Sequence, residues 1–311
     1  MSAERVARTP KPEVYHFDRV LIGYCLLTLL LIGLFGRPIG EYLDEIFFYS
    51  SMAALAVLII RYIDYTKSRT HAFFRLLYPA VMATFFYQRT EGMMFLYFDR
   101  FFDWQLVTFE KMILGFNPTL YIDTHLLNVW INELLSLCYF SYYLMLPGFL
   151  IPVFLKKDYH VIRPLLTASL TTFFVSYLLF ALYPVEGPRW HFALDYVNTI
   201  DGPVFREAVN YVIDNGAVRG GAMPSSHTGV AIVILMFCFK HYRKAGWFLL
   251  PFVTGLAIGT VWGRFHYISD VVVGGMIGIL AVLLAWKYNE CGIDDKATLD
   301  SSGKLSEQRV A

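Results

Sequence analysis

His227, His266 and Asp270 are the residues of this chain best suited to chemistry. His266 and Asp270 stand four apart, so on a helix they share a face, and a carboxylate there can hold the imidazole in one tautomer. A nucleophilic histidine needs that orienting relationship. His227 closes the run Met223-Pro224-Ser225-Ser226-His227, where Ser225 and Ser226 open a helix whose free N–H groups offer an anion-binding corner. Arg189, inside Tyr183-Pro184-Val185-Glu186-Gly187-Pro188-Arg189-Trp190-His191, and Arg264, two before His266, carry guanidinium groups that fit phosphate bidentately. One nucleophile, one acid, two arginines and a helix N-terminus describe a phosphoryl-transfer site that calls for no metal and no cofactor.

These residues must be positioned by an unusually apolar chain. Of its 311 residues 57% are hydrophobic and only 16% charged, against about 25% charged in soluble domains. That excludes an ordinary soluble enzyme and points to an all-α, polytopic membrane helical bundle. The 26 Lys and Arg nearly cancel the 25 Asp and Glu, so no basic excess exists for nucleic acid. Cys25, Cys138, Cys238 and Cys291 show neither metal-ligand spacing nor a disulfide framework. The expected partners are the lipid bilayer and a phosphorylated membrane lipid.

Charge-poor runs at 20–36, 46–60, 76–88, 134–155, 165–185, 220–239, 245–263 and 271–286 give about eight candidate transmembrane helices. The first lacks a small-x-small cleavage site and reads as a retained helix. Residues 1–19 then form a cytoplasmic N-terminal segment, 20–288 one membrane domain, and 289–311 a polar tail expected to be disordered. Lys and Arg concentrate in alternate loops: Arg61, Lys67, Arg69 and Arg75; Lys156, Lys157 and Arg163; Lys240, Arg243 and Lys244. By the positive-inside rule these loops and both termini are cytoplasmic, and the three chemical clusters converge on the extracytoplasmic face.

Two long segments face that side. In 89–133, Phe98, Phe102, Leu106, Phe109 and Ile113 recur at helical spacing with Asp99, Asp103 and Glu110 off the stripe. This predicts an amphipathic helix in the interface plane, ended by Gly115 and Pro118. In 186–223, Arg206 and Arg219 read as solvated loop charges, while His191 and Arg219 are possible substrate contacts. Asn132 and Glu133 read as interfacial, and His125, His160 and His241 as surface groups.

Together the motifs resemble the type 2 phosphatidic acid phosphatase superfamily, which also includes the vanadium haloperoxidases. That family carries Lys-x6-Arg-Pro, then Pro-Ser-Gly-His, then Ser-Arg-x5-His-x3-Asp. Pro224-Ser225-Ser226-His227 is similar to the second, with Ser226 in place of Gly, and His266-x3-Asp270 to the end of the third. Where the family has Ser-Arg this chain has Gly259-Thr260, and the nearest arginine is Arg264. Arg-x-His-Tyr-x-x-Asp and Tyr-Pro-x-x-x-Pro-Arg resemble the branch containing inositol phosphorylceramide synthases. The resemblance covers residues 95–286. Lys156-x6-Arg163-Pro164 matches the first motif by letter, but an apolar run of about twenty residues separates it from Ser225, so it belongs to the cytoplasmic side. Arg189 takes its place.

The resemblance implies a two-step reaction. His266 attacks phosphorus, Asp270 stabilises its charged form, Ser225 and the arginines hold the equatorial oxygens, and His227 protonates the leaving oxygen. Water or an acceptor alcohol then takes the phosphoryl group. The expected function is a lipid phosphate or diphosphate phosphohydrolase. The alternative is a phosphotransferase moving a phospho-headgroup from a phospholipid to a lipid alcohol, and a non-catalytic lipid carrier is a third reading that the presence of His227, His266 and Asp270 disfavours.

Overall fold

A computed structural model describes residues 13–290 and two short segments beyond them, 296–299 and 305–308. Helices α1 (His16–Phe35) and α2 (Leu43–Tyr62) form a hairpin, followed by α3 (Arg69–Arg89). The short helices α4 (Asp103–Leu114) and α5 (Pro118–His125) lead into α6 (Val129–Phe140) and α7 (Tyr142–Leu155). Then come α8 (Tyr159–Leu182), the single turn α9 (Pro188–His191), α10 (Phe205–Gly216), α11 (Ser226–His241), α12 (Arg243–Trp262) and α13 (Ile268–Glu290). Strands β1 (Lys296–Leu299) and β2 (Leu305–Gln308) pair antiparallel, so part of the tail expected to be disordered is described as a hairpin. The rest of that tail and residues 1–12 lie outside the described residues.

The bundle is all-α and membrane-spanning, but the expected eight spans are not all present as such. Among the described residues, six segments are long and apolar enough to cross: His16–Phe35, Ile39–Tyr62, Val129–Leu155, Tyr159–Leu182, Arg243–Trp262 and Ile268–Tyr288. Helix α11 is apolar but only 16 residues long. Helix α3 has the length, 21 residues, yet carries Arg69, His71, Arg75 and Arg89. The fourth span is broken at Ser141, whose hydroxyl turns back to the Cys138 carbonyl at 2.6 Å.

Helix α8 is the central post, with two-thirds of its apolar window buried. Two of its buried hydroxyls bond within the helix, Thr172 donating to the Ala168 carbonyl at 2.9 Å and Ser176 to that of Thr172 at 2.8 Å. Helices α11 and α13 cross at backbone distance: a Cβ on Gly274 would lie 2.2 Å from the Ser225 carbonyl oxygen, and one on Gly278 2.3 Å from that of Gly229. Small residues one turn apart are what allow such a crossing. It brings the first turn of α11 against the first turn of α13.

The basic loops gather at the other end of the bundle. Arg75 is buried against Asp18 and Tyr78, and Arg163 lies over the rings of Tyr15 and Tyr65 at 4.3 and 5.0 Å. Arg163 lies one turn into α8, and from it to Leu182 at the helix end is about 28 Å at 1.5 Å per residue. The Lys156-to-Arg163 match therefore sits a bilayer's depth from the histidines.

Candidate active site

Backbone hydrogen bonds tie the three clusters together. Val185 pairs with the second cluster in a parallel bridge, donating to the Gly220 carbonyl at 3.1 Å and accepting from Ala222 at 3.0 Å. Ser225 N–H donates to the Asp270 carbonyl at 2.9 Å, locking the second cluster to the third. Gly187, at φ +93°, takes the left-handed turn where a side chain would meet the Phe265 carbonyl at 3.0 Å.

Within this frame His266 and His227 face each other, their ring centroids 6.2 Å apart. His266 is buried, and its Nδ1–H donates to the Ala222 carbonyl at 2.8 Å. A carbonyl can only accept, so the proton is on Nδ1 and Nε2 keeps its lone pair. Burial pushes the imidazole down to about 4, against the partial support of that carbonyl, so it is neutral at physiological pH. The sequence reading gave the orienting role to Asp270, but its Oδ2 stands 3.5 Å from Nδ1 and accepts the Tyr267 N–H at 2.8 Å instead. Asp270 Oδ1 is buried without a hydrogen-bond partner. Ala222 thus fixes the tautomer, and Asp270 lies where a positive charge on the ring would be met.

His227 is the second residue of α11, packed on Tyr142 and Tyr139 at 4.6 and 5.6 Å between ring centroids. Ser225 is the N-cap and accepts the Thr228 N–H at 3.4 Å. Its hydroxyl therefore serves the helix, while the first-turn N–H groups of Ser226 and His227 have no acceptor within it. An apolar cavity of about 620 Å³ opens beside Ser226 and His227 and runs between α3 and α7 past Leu77, Val81 and Leu146.

The arginines are distributed differently from the expectation. Arg264 donates to Asp123 and to the Asn198 carbonyl and lies over the Tyr196 ring at 3.7 Å, which commits one of its amino groups to the scaffold. Arg189 pairs with Asp214 on α10, and Arg219, largely exposed, pairs with Glu186. His191 is exposed at the rim. Arg206, read from sequence as a solvated loop charge, is instead 9% exposed. Its guanidinium lies over the Phe265 ring at 5.4 Å, and its Nε has no hydrogen-bond partner. Burial, then the charges of Arg264 and Arg189, push it down to about 10, still protonated at pH 7. The missed signal is its position: Arg206, Val209 and Ile213 form the buried stripe of α10.

Four carboxylates also escaped the sequence reading as structural elements. The stripe is split: Phe102 and Leu106 are buried while Phe109 and Ile113 are exposed, and Asp103 and Glu110, placed off the stripe, are buried. Asp103 accepts the N–H groups of Glu186 and Gly187, both at 2.8 Å, and the Tyr267 hydroxyl at 3.0 Å. Glu110 accepts the Ser269 N–H at 2.7 Å. Asp123 holds Arg264 and the Val197 N–H, and Glu133, read as interfacial, accepts the N–H groups of Val204, Phe205 and Arg206 at the start of α10. Asn132 is likewise buried, accepting from Trp262 Nε1 at 2.8 Å. Among the described residues, Asp103, Glu186 and His191 come within reach of a common cation. Both Asp103 oxygens are already hydrogen-bonded and Glu186 is paired with Arg219, so the group reads as scaffold.

The fold and site thus define a polytopic membrane protein with two facing histidines, one capped by a carbonyl and backed by a buried carboxylate. Residues 104–284 match the PAP2 superfamily, and the chain belongs to it. A PA-phosphatase related-family protein of Dictyostelium discoideum is 24% identical over 180 residues, covering 50% of this chain and 32% of that protein. The chain therefore spans about a third of that relative's length. No solved structure matches.

Proposed function

We propose that this chain is an integral membrane phosphohydrolase that removes phosphate from a lipid phosphate or lipid diphosphate through a phosphohistidine at His266. The observation that carries the reading is the facing pair, with His266 Nε2 bare and His227 6.2 Å away between centroids. In the first step Nε2 bonds to phosphorus as the bond to the lipid oxygen breaks. His227 gives that oxygen its proton, and Asp270 offsets the charge left on the ring. In the second step water attacks phosphorus, His227 takes the water's proton, and phosphate leaves with His266 neutral again. The guanidinium groups and the first-turn N–H groups of α11 supply the charge compensation, so the reaction as proposed runs without metal.

The cavity supports a lipid as the leaving group. An alcohol protonated by His227 departs on that residue's side, and the space there is apolar. Its lining on α3 extends from Phe73 to Gln88, about 22 Å of helix axis, so a tail seated there stays within the hydrocarbon core, about 30 Å thick. The same space would admit an apolar acceptor alcohol after the leaving alcohol has gone, which keeps phosphotransfer as the second reading. The basic loops at the far end support an extracytoplasmic site with cytoplasmic termini.

The test is phosphate release in detergent from a panel of lipid phosphates and diphosphates, with and without chelator, for wild type and His266→Ala. Release that requires His266 and survives chelation is expected. Release that is unaffected by His266→Ala, or abolished by chelator, contradicts the mechanism. A new phospholipid formed only when a lipid alcohol is added assigns phosphotransfer instead.

A further inference from the structure

We propose that Arg206 is the principal phosphate-holding side chain of this site, carried on the buried face of α10 and kept free of any acidic partner for the oxygens of the bound phosphoryl group. The inference rests on the phosphoryl-transfer reading above. Three features of the structure carry it.

The first is the state of the guanidinium. Arg206 is nine-tenths buried, its Nε has no hydrogen-bond partner, and among the described residues no carboxylate pairs with it. An unpaired buried charge is costly and persists only where something compensates it. Arg189 and Arg264, whose charges reach Arg206, each hold a carboxylate of their own, Asp214 and Asp123, and the charge of Asp201 acts on Arg206 more weakly than either arginine and without an ion pair. Arg206 alone of the three has its full donor set open, five N–H groups in a fork that matches phosphate.

The second is place. The guanidinium lies over Phe265, the residue before His266. Phe265 packs on Tyr139 at 4.9 Å, and Tyr139 on His227 at 5.6 Å. Arg206 is therefore one ring, Phe265, from His266 and two rings, Phe265 and Tyr139, from His227. Neither of its neighbours matches that placement, since Arg189 turns toward α10 from outside and Arg264 is drawn to Asp123.

The third is the anchoring. Glu133 accepts the N–H groups of Val204, Phe205 and Arg206 at 3.2, 2.9 and 3.0 Å, so the start of α10 is fixed to α6 at the arginine itself. A carboxylate beside a helix N-terminus is a sound anchor. Here it binds the backbone and leaves the guanidinium alone, which makes Glu133 a positioning residue for Arg206.

The experiment uses the full chain in detergent, with thermal unfolding measured with and without inorganic phosphate and with a lipid phosphate in mixed micelles, beside steady-state kinetics. Arg206→Met is expected to keep or raise the ligand-free Tm, because it removes an unpaired buried charge. It should abolish the rise in Tm caused by phosphate and lower kcat/KM by roughly 100-fold, the scale for losing one oxyanion donor. Arg206→Lys should restore part of both, and His266→Ala should keep the phosphate-induced rise. A Met variant that retains the full rise overturns the proposal, as does a wild type that responds to neither ligand. So does a destabilised Met variant whose turnover per folded molecule is unchanged. A rise with inorganic phosphate points to a site for the free anion, and one with lipid phosphate alone to a site completed by the tail. If the rise depends on Arg206 while no substrate is turned over, the phosphohydrolase reading falls and the anion site stands. If wild type and Arg206→Met turn over equally, the reverse holds.

Discussion

Arg75 and Arg206 are both buried arginines on helices, at opposite ends of the bundle, and their surroundings differ in kind. Arg75 donates to both oxygens of Asp18 and to the Glu13 carbonyl, and its guanidinium lies against Tyr15 at 4.8 Å. Tyr78 donates its hydroxyl to the same carboxylate. Every donor of consequence there has an acceptor, and the cluster joins α1 to α3. Arg206 is also buried, at 9% exposed, but among the described residues its guanidinium pairs with no carboxylate; two other arginines lie near it, and the charge of Asp201 offsets them only in part. The first arrangement is a closed structural joint. The second, on the proposal above, is a charge whose remaining compensation comes from a ligand, and it packs on the ring next to His266.

The comparison can be broken at either end. The largest effect expected is on chemistry: His266→Ala should lower phosphate release by roughly 10⁴-fold or more, as removal of a nucleophile does elsewhere. Its Tm should change little, and phosphate-release kinetics beside thermal unfolding check both. At the opposite end Asp18→Asn should do the reverse. It leaves Arg75 buried and uncompensated, a loss of about 3–5 kcal/mol in stability, with turnover per folded molecule retained. Equal effects on turnover from the two variants would erase the distinction between joint and site.

Gly274→Ala sharpens the picture at the crossing that joins the two motif helices. Its Cβ would lie 2.2 Å from the Ser225 carbonyl oxygen, so α11 must shift away from α13. Overpacking of that kind costs about 1–3 kcal/mol, and because Ser225 caps the helix bearing His227, kcat should fall more than KM rises. An unchanged kcat would show that the histidines tolerate the displacement.

The smallest effect expected is a displacement along the pH axis. Burial holds His266 neutral down to about 4. The acid limb of kcat/KM should therefore lie near 4, with activity lost as pH falls through that value, rather than near the ordinary imidazole value of 6.5. The unfolded chain protonates this group near 6.5 while the native state resists to about 4. Stability should decline as pH falls across that window and level off below it. A limb at 6.5 would mean the ring is solvated.

Much of this was legible in the residue order. The apolar runs located the long helices, and the three polar clusters met as the alternation of spans required, because a membrane leaves few ways to arrange them. Faces were harder to read. Along 98–113 the stripe suggested an amphipathic helix in the interface plane; Phe102 and Leu106 are buried and Phe109 and Ile113 exposed, but Asp103 and Glu110, read as its polar side, are inside. In a bilayer apolar surface can face outward without cost, and it is the backbone N–H groups of irregular loops that need buried partners. Arg206 was misread for a related reason. Its neighbours Val209 and Ile213 show a helical stripe, but a charge on that stripe is informative only once the absence of a partner is visible. The tautomer of His266 was not legible at all, because the acceptor is a backbone carbonyl 44 residues away, that of Ala222.

The most direct test is to trap the phosphoenzyme. Purified protein would be mixed with a lipid phosphate labelled on phosphorus, quenched in alkali, where phosphohistidine survives, and the labelled peptide sequenced. The account predicts label on the peptide carrying His266, absent from His266→Ala and lost on acid treatment. Label on another residue, or full turnover in His266→Ala, would contradict it.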